Sequence, residues 1–219
     1  MSSSPAWPFT LPPVHPVDSL GAGLWRYQQT PGGALHVLAS LDAAAFPDPT
    51  RPGAAALAPA GWDPRGPLDV LVYLHGFSNC VESVVSDTGA VCLPGSGHAC
   101  GPSKLLSQLL ASGRNALLVV PGLKVDQQTG ACGALGKPGG FRRLLDELLG
   151  KLLPALGAPA RGAADAARIG LMCHSGGYTP AALAIRVGDL AALREPLKYS
   201  FRLTLTLVLA LALALIGLA

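Results

Sequence analysis

The chain has 219 residues, a length that favours one domain with a sizeable buried core. Half of its residues are hydrophobic and 13% are charged, against roughly a quarter in an ordinary soluble domain. The net charge is +3, and the 16 basic side chains are dispersed without forming a stripe. This charge distribution argues against nucleic acid as a partner.

Three parts of the chain are distinguished by composition. Residues 1–20 are a Pro-rich lead-in, residues 21–200 form the main domain, and residues 201–219 are a hydrophobic C-terminal segment. The first basic side chain is Arg26, so the basic and apolar regions of a secretory signal are absent from the lead-in. The expected compartment is therefore the cytoplasm.

The first predicted elements are two short strands, at 24–28 and 34–39, separated by the turn-like residues 30–33. Together they predict a β-hairpin. Residues 46–67 are rich in Pro, Ala and Gly, and this composition predicts a long loop.

A short apolar run at 69–75, rich in β-branched and aromatic residues, predicts a strand that is buried on both faces. The leucines at 105, 106, 109 and 110 have helical spacing, which predicts a helix over 103–112 with Ser103 as its N-cap. A second buried strand is predicted at 115–120.

The clearest helix follows at 141–153, where seven apolar side chains fall on one face and charged ones on the other. A third buried strand is predicted at 168–173 and a helix at 178–187, with Pro180 tolerated in its first turn. Strands and helices thus alternate, which predicts an α/β fold with a mostly parallel sheet flanked by helices.

A serine lies where the third buried strand gives way to a helix, in the sequence Cys173-His174-Ser175-Gly176-Gly177. A nucleophilic serine on such a sharp turn needs small neighbours, because its backbone is strained and the strand and helix approach closely. Gly177 matches the second glycine of the G-x-S-x-G pattern, and Cys173 replaces the first. The alternative is that Ser175 is an ordinary N-cap.

A second motif, His75-Gly76-Phe77, ends an earlier buried strand. With both motifs in this order, residues 69–187 resemble the α/β-hydrolase superfamily. The resemblance implies that Ser175 is the nucleophile and that the backbone N–H groups of Phe77 and Gly176 form the oxyanion hole. It assigns His75 to the scaffold, and it implies hydrolysis of a small ester or related acyl substrate.

The chain departs from this pattern after the serine. The resemblance leads us to expect an acid and then a histidine, but the 44 residues after Ser175 include Asp189 and Glu195 and no histidine. His98, in a glycine-rich loop, is the candidate base, since His174 is expected to point away from Ser175 and His15 and His36 belong to the amino-terminal segment. The alternative is that His98 is a solvated loop histidine. The alternative function is a non-catalytic, membrane-anchored hydrolase-like protein that binds a ligand or partner.

No cofactor or metal is predicted. The spacing of Cys80, Cys92, His98 and Cys100 matches no zinc site. In the cytoplasm the five cysteines are expected to be mostly reduced, as buried thiols or with an adventitious disulfide.

The C-terminal residues Leu203 to Ala219 carry no charge and contain alternating leucines. As a helix this segment would span about 25 Å, near the lower limit for crossing a membrane. Basic residues precede it, so the main domain would stay in the cytoplasm as a tail-anchored protein. Two alternatives stay open, namely a further strand of the sheet and a tail produced by a shifted reading frame, which would truncate the hydrolase-like domain.

Overall fold

The computed structural model describes residues 16–21, 24–29, 33–38, 53–85, 89–93, 99–124 and 132–189, the first three ranges by their backbone alone. The strands are β1 Pro16–Gly21, β2 Leu24–Gln29, β3 Gly33–Leu38, β4 Ala54–Pro59, β5 Asp69–Leu74, β6 Ala116–Pro121 and β7 Arg168–Cys173. The helices are α1 Val81–Val85, α2 Leu105–Ala111, α3 Gly140–Ala155 and α4 Tyr178–Val187.

The strands form one mixed sheet in the order β1-β2-β3-β4-β6-β5-β7. The pairs β5–β6 and β5–β7 are parallel, and the other four pairings, including β4–β6, are antiparallel. The prediction of a mostly parallel sheet was therefore wrong, although the α/β class is correct. The reason is connectivity: no described helix separates β1 to β4, and successive strands without a crossover helix pair antiparallel.

Period-two alternation divides the buried strand residues between two faces of the sheet. In β6, Leu117 and Val119 pack on the face covered by α3 and α4, whereas Leu118 and Val120 pack on the face covered by α1 and α2. Both faces of the sheet are apolar here because helices cover both of them, and the sequence of β6 is therefore a continuous run of hydrophobic residues.

Helix α3 supplies the larger core. Its predicted apolar face is fully buried, as expected from the 3.6-residue period. The side chains with no exposed surface are Phe141, Leu144, Leu145, Leu148, Leu149, Leu152 and Leu153.

The order of the parallel strands creates a crevice at one edge of the sheet. From β5 the chain crosses to β6 through α1 and α2, and it then returns past β5 to β7 through α3, which lies on the opposite face. Strands β5 and β7 are therefore neighbours whose following segments lead away in different directions. Such a switch point is where open α/β sheets bind ligands, beyond the carboxyl ends of the strands.

The predicted hairpin, the three predicted core strands and the helices α2, α3 and α4 are all present, with small shifts at their ends. Strand β7 was predicted to be buried, but only its residues Ile169 and Gly170 are, because it has a described neighbouring strand on one side alone. Strand β4 lies inside the region predicted to be a loop. Its alanine-rich sequence has little intrinsic strand propensity, but all six of its residues are buried between β3 and β6. Ser103 is not the cap of α2, since that position is taken by Lys104 without a side-chain bond.

The cysteines occur in both redox states. Cys80 and Cys92 form a disulfide across the segment that contains α1. Cys132 is a buried thiol, and Cys100 and Cys173 are half-buried thiols. Among the free thiols, the expectation of a buried cysteine is confirmed for Cys132.

Candidate active site

The two predicted motifs meet at the carboxyl edge of the sheet. Leu74, the last residue of β5, is paired in register with Cys173, the last residue of β7. The pairing continues one step further, since the His174 N–H donates to the Leu74 carbonyl over 3.1 Å. The residues after both strands therefore emerge side by side, although they are about a hundred positions apart in the sequence.

Ser175 lies on the turn after β7 in a strained conformation. Its φ is 49°, in the left-handed region that a residue with a Cβ rarely adopts. Its side chain is exposed, and helix α4 is capped by Gly177 without any side-chain bond. The N-cap alternative for Ser175 is therefore wrong, and a strained, exposed serine is the kind of outlier that points to function.

Glycines allow the two turns to approach. A methyl group at Gly76 would lie 2.9 Å from the His174 carbonyl oxygen and 3.0 Å from Ser175 Cβ. One at Gly177 would overlap the Leu74 carbonyl oxygen. A Cβ atom at either position would be too close to a backbone carbonyl oxygen that is not bonded to it, so glycine is required at both Gly76 and Gly177.

His75 is a buried connector between strand ends. The Leu123 N–H, just after β6, donates to His75 Nε2 over 3.0 Å, and His75 Nδ1 lies 3.1 Å from the Gly76 carbonyl oxygen. Because Nε2 accepts a hydrogen bond, the neutral ring must carry its proton on Nδ1 and donate it to Gly76. Both nitrogens are thus used to hold the turn that carries Phe77, and His75 has a structural role here.

The two predicted oxyanion donors are unpaired within the described part of the chain. The backbone N–H groups of Phe77 and Gly176 have no acceptor there, although the neighbouring amides of His174, Gly177 and Asn79 are all hydrogen-bonded. As a whole residue Phe77 is 41% exposed, and Gly176 is half-buried. Two free N–H groups beside an exposed serine could bind a carbonyl oxygen.

No base contacts the serine among the residues that the structure describes. Ser175 Oγ has no hydrogen-bond partner there, and the ring of His174, which lies against Gly76, is exposed and makes no hydrogen bond with a described residue. His98, the candidate base from the sequence, lies outside the described residues. Asp189 is not at the site, because it forms an ion pair with Arg142 over 3.0 Å.

An open cleft of about 370 Å³ begins beside Phe77 and His174. Its wall includes Tyr73 from the end of β5, Asn79 from the turn after it, Ser103, and Gln108 from α2. Burial raises the pKa of Tyr73 above its ordinary value, and the nearby Ser103 hydroxyl opposes this only in part. The phenol is therefore neutral at physiological pH, and it is hydrogen-bonded to the Ser103 hydroxyl.

Sequence reasoning did not identify these cleft residues. The available signal was Tyr73, a polar aromatic residue near the end of a strand that is otherwise aliphatic. The other wall residues come from α2 and from segments whose position depends on the tertiary fold.

Cys173, the residue in place of the first glycine of the serine motif, is half-buried against the core of α3. Burial raises the pKa of its thiol, so it stays protonated at neutral pH and behaves as a small apolar side chain. The substitution is therefore compatible with the turn.

Two further findings concern the described residues only. Among them, no three His, Cys, Asp or Glu side chains are grouped as a metal site would require. None of the helices seen there has the length and apolar character needed to cross a bilayer. The segment Leu203 to Ala219, predicted as a membrane anchor, lies outside this part of the chain.

Comparison of the chain with protein-family models, with curated proteins and with solved structures gives no match. The interpretation of the site therefore depends on its own residues and geometry.

Proposed function

We propose that the protein is a serine hydrolase of the α/β-hydrolase type that acts on an ester or a related acyl bond. One observation carries the proposal: Ser175 has a φ of 49° directly after β7, close in the chain to two amides that have no acceptor in the described part of the protein. A serine used only as a cap or in a turn would not require this combination of strain, exposure and free donors.

The arrangement supports a defined chemical sequence. The substrate carbonyl oxygen would accept hydrogen bonds from the N–H groups of Phe77 and Gly176, which stabilise the negative charge that develops on it. Ser175 Oγ would attack the carbonyl carbon and lose its proton to a base. The base would return that proton to the leaving alkoxide oxygen as the tetrahedral intermediate collapses, which releases the alcohol and leaves the acyl-enzyme. Water would then release the acid in a second step of the same kind.

The base is the critical requirement. Without one, the serine hydroxyl keeps its ordinary pKa, and the rate falls by roughly 10⁴ to 10⁶. His98 is the residue to which we assign this role, because both nitrogens of His75 are already hydrogen-bonded to backbone groups.

Labelling with a fluorophosphonate probe tests the proposal. This reagent reacts only with an activated serine, so we expect modification of the wild type at Ser175 and no modification of Ser175→Ala. Ser107→Ala is the matched control, because Ser107 is exposed on α2 and away from both motifs; it should label like the wild type. A His98→Ala variant should label at least 100-fold more slowly.

A non-catalytic protein is the second candidate. It is favoured by the lack of any imidazole bonded to Ser175 within the described ranges. In that case the wild type would not be labelled, and the cleft would serve to bind a ligand. Absence of labelling in a folded wild-type protein would reject the hydrolase proposal in favour of this one.

A further inference from the structure

The cleft beside the proposed oxyanion hole has a composition that restricts what it can bind. Phe77 is one of its lining residues, and so is His174, the residue before Ser175. We therefore place in it one substituent of a carbonyl that the Phe77 and Gly176 amides would hold. Its volume of about 370 Å³ is near the lower end of the range for small-molecule sites. A compact group of the substrate would fill it.

Six of the ten described residues that line the cleft carry hydrogen-bonding side chains. Tyr73 and Ser103 contribute hydroxyls that are hydrogen-bonded to each other, while Asn79 and Gln108 contribute carboxamides. The Cys80 N–H donates to Asn79 Oδ1 over 2.8 Å, which fixes the orientation of that amide and leaves its NH₂ group to donate elsewhere. The Gln108 side chain makes no hydrogen bond with a described residue. In solution, water molecules form hydrogen bonds with such groups, and the hydroxyl groups of a ligand can replace those waters.

The described wall of the cleft contains no Asp, Glu, Lys or Arg. Its other side chains include the imidazole of His174 and the apolar groups of Phe77 and Leu105. A carboxylate would therefore find no Lys or Arg in this wall and an ammonium group no Asp or Glu, so the burial of either is costly. A long alkyl chain would place its methylenes against hydrogen-bonding groups. It would therefore lose the stabilisation of about 0.8 kcal/mol that each CH₂ gains when it is buried among apolar groups.

We propose that this cleft selects esters in which the group next to the reacting carbonyl is compact, uncharged and hydroxylated. The inference rests on the proposed hydrolase function and adds the substrate class. A site with polar groups placed for a substrate hydroxyl discriminates against the analogue without it, because those groups then lose water and gain no partner.

Matched esters test the selectivity. Propyl butanoate is compared with glyceryl monobutanoate, which adds hydroxyls to the alcohol, with propyl 4-hydroxybutanoate, which adds one to the acyl group, and with monopropyl succinate, which adds a charge. Release of acid is followed by titration at constant pH. We expect kcat/KM to be about 10-fold higher for one of the hydroxylated esters than for propyl butanoate, since two hydrogen bonds of ordinary strength account for that factor. The succinate should be the poorest substrate.

Gln108→Leu identifies the cleft as the origin of the preference. This variant removes the carboxamide at nearly constant size, so the ratio of kcat/KM for the preferred hydroxylated ester to kcat/KM for propyl butanoate should fall at least threefold. Ser107→Ala, on the same helix but outside the cleft, should keep the wild-type preference.

The two proposals fail in different ways. If the fluorophosphonate labels Ser175 but neither hydroxylated ester is preferred, or Gln108→Leu leaves the preference intact, the cleft assignment is wrong and the hydrolase proposal stands. If Ser175 is not labelled, the hydrolase proposal is wrong and the substrate assignment falls with it.

Discussion

At the scale of single residues, the site depends on a close contact between two turns. The backbone strain at Ser175 is maintained because the flanking β7 and α4 fix the chain on both sides, and Gly76 leaves room for the serine Cβ. A left-handed residue with a side chain costs roughly 1–2 kcal/mol. The surrounding structure must offset that cost, which it does through the strands β5 and β7.

Gly76→Ala should disturb this contact directly. The new methyl group would lie 2.9 Å from the His174 carbonyl oxygen, a backbone atom that cannot move without displacing Ser175. We expect a loss of about 1–3 kcal/mol in the free energy of unfolding, as for overpacked cores, and slower fluorophosphonate labelling. Urea unfolding and labelling kinetics measure the two effects.

Gly150→Ala is the matched control for that substitution. Gly150 lies within α3 and has open space where a Cβ would be, so alanine should stabilise the protein by roughly 0.5–1 kcal/mol through helix propensity. Equal behaviour of the two alanine variants would contradict the proposed role of Gly76.

At the scale of elements, the segment between β5 and α2 supports the turn that carries Phe77. The disulfide ties Cys80, at the start of α1, to Cys92. Further along, Ala90 and Cys100 exchange two backbone hydrogen bonds of 3.1 and 2.8 Å, and the Cys100 thiol donates to the Ser78 carbonyl. The turn is therefore braced by a crosslinked segment that also forms part of the cleft wall.

Removal of the disulfide should weaken both stability and labelling. The two cysteines are 12 positions apart, and a crosslink over such a loop contributes about 3 kcal/mol in the chain-entropy treatment. We expect Cys80→Ser/Cys92→Ser to lose up to that amount and to label more slowly at Ser175. Denaturant unfolding and labelling of the wild type with and without dithiothreitol provide the comparison.

The double variant is also the control for the reductant. Dithiothreitol should reproduce the defect in the wild type and have no effect on Cys80→Ser/Cys92→Ser. If the reduced wild type keeps its stability and labelling rate, the disulfide does not support the turn.

The same segment shows where prediction from sequence failed. Helix α1 has five residues, fewer than two turns, and its buried valines give no periodic signal that differs from a strand. By contrast, α3 has sixteen residues and a clear apolar face, and its predicted position was correct. Length and periodicity thus separate the elements that could be predicted from those that could not.

At the scale of the whole molecule, two cores lie on opposite faces of one sheet and bury several ionisable groups. Burial raises the pKa of the Cys132 and Cys173 thiols and of the Tyr73 phenol, because an anion is less stable away from water. The folded state therefore holds these protons more tightly than the unfolded state does.

Stability should consequently fall in alkaline solution. A group whose pKa is raised in the folded state contributes stability that is fully present at pH values below its ordinary pKa, which is 9.0 for the thiols. This contribution is lost as the pH rises through the higher pKa of the folded state. Urea unfolding at pH 7, 9 and 10.5 should show this decline. Cys132→Ala should show a shallower one, since one titrating group is removed. A free energy of unfolding that stays constant to pH 10.5 would refute this account.

Sequence alone determined the α/β class, the three core strands, the helices with a clear apolar face, and the two motifs around Gly76 and Ser175. These follow from local periodicity and from residue size, which are properties of short stretches of chain. The same local information underlies the resemblance to the α/β-hydrolases.

Only the tertiary structure decided that the sheet is mixed, that β4 is a strand, that His75 links two strand ends, and which side chains form the cleft. Each of these depends on contacts between residues far apart in the chain, such as the pairing of Leu74 with Cys173. An alanine-rich strand gains its stability from the neighbours that cover it, and a cleft exists only where separate segments meet. The sequence placed a strained serine at a turn, and the fold placed beside it the free amides and the polar wall on which the proposed function depends.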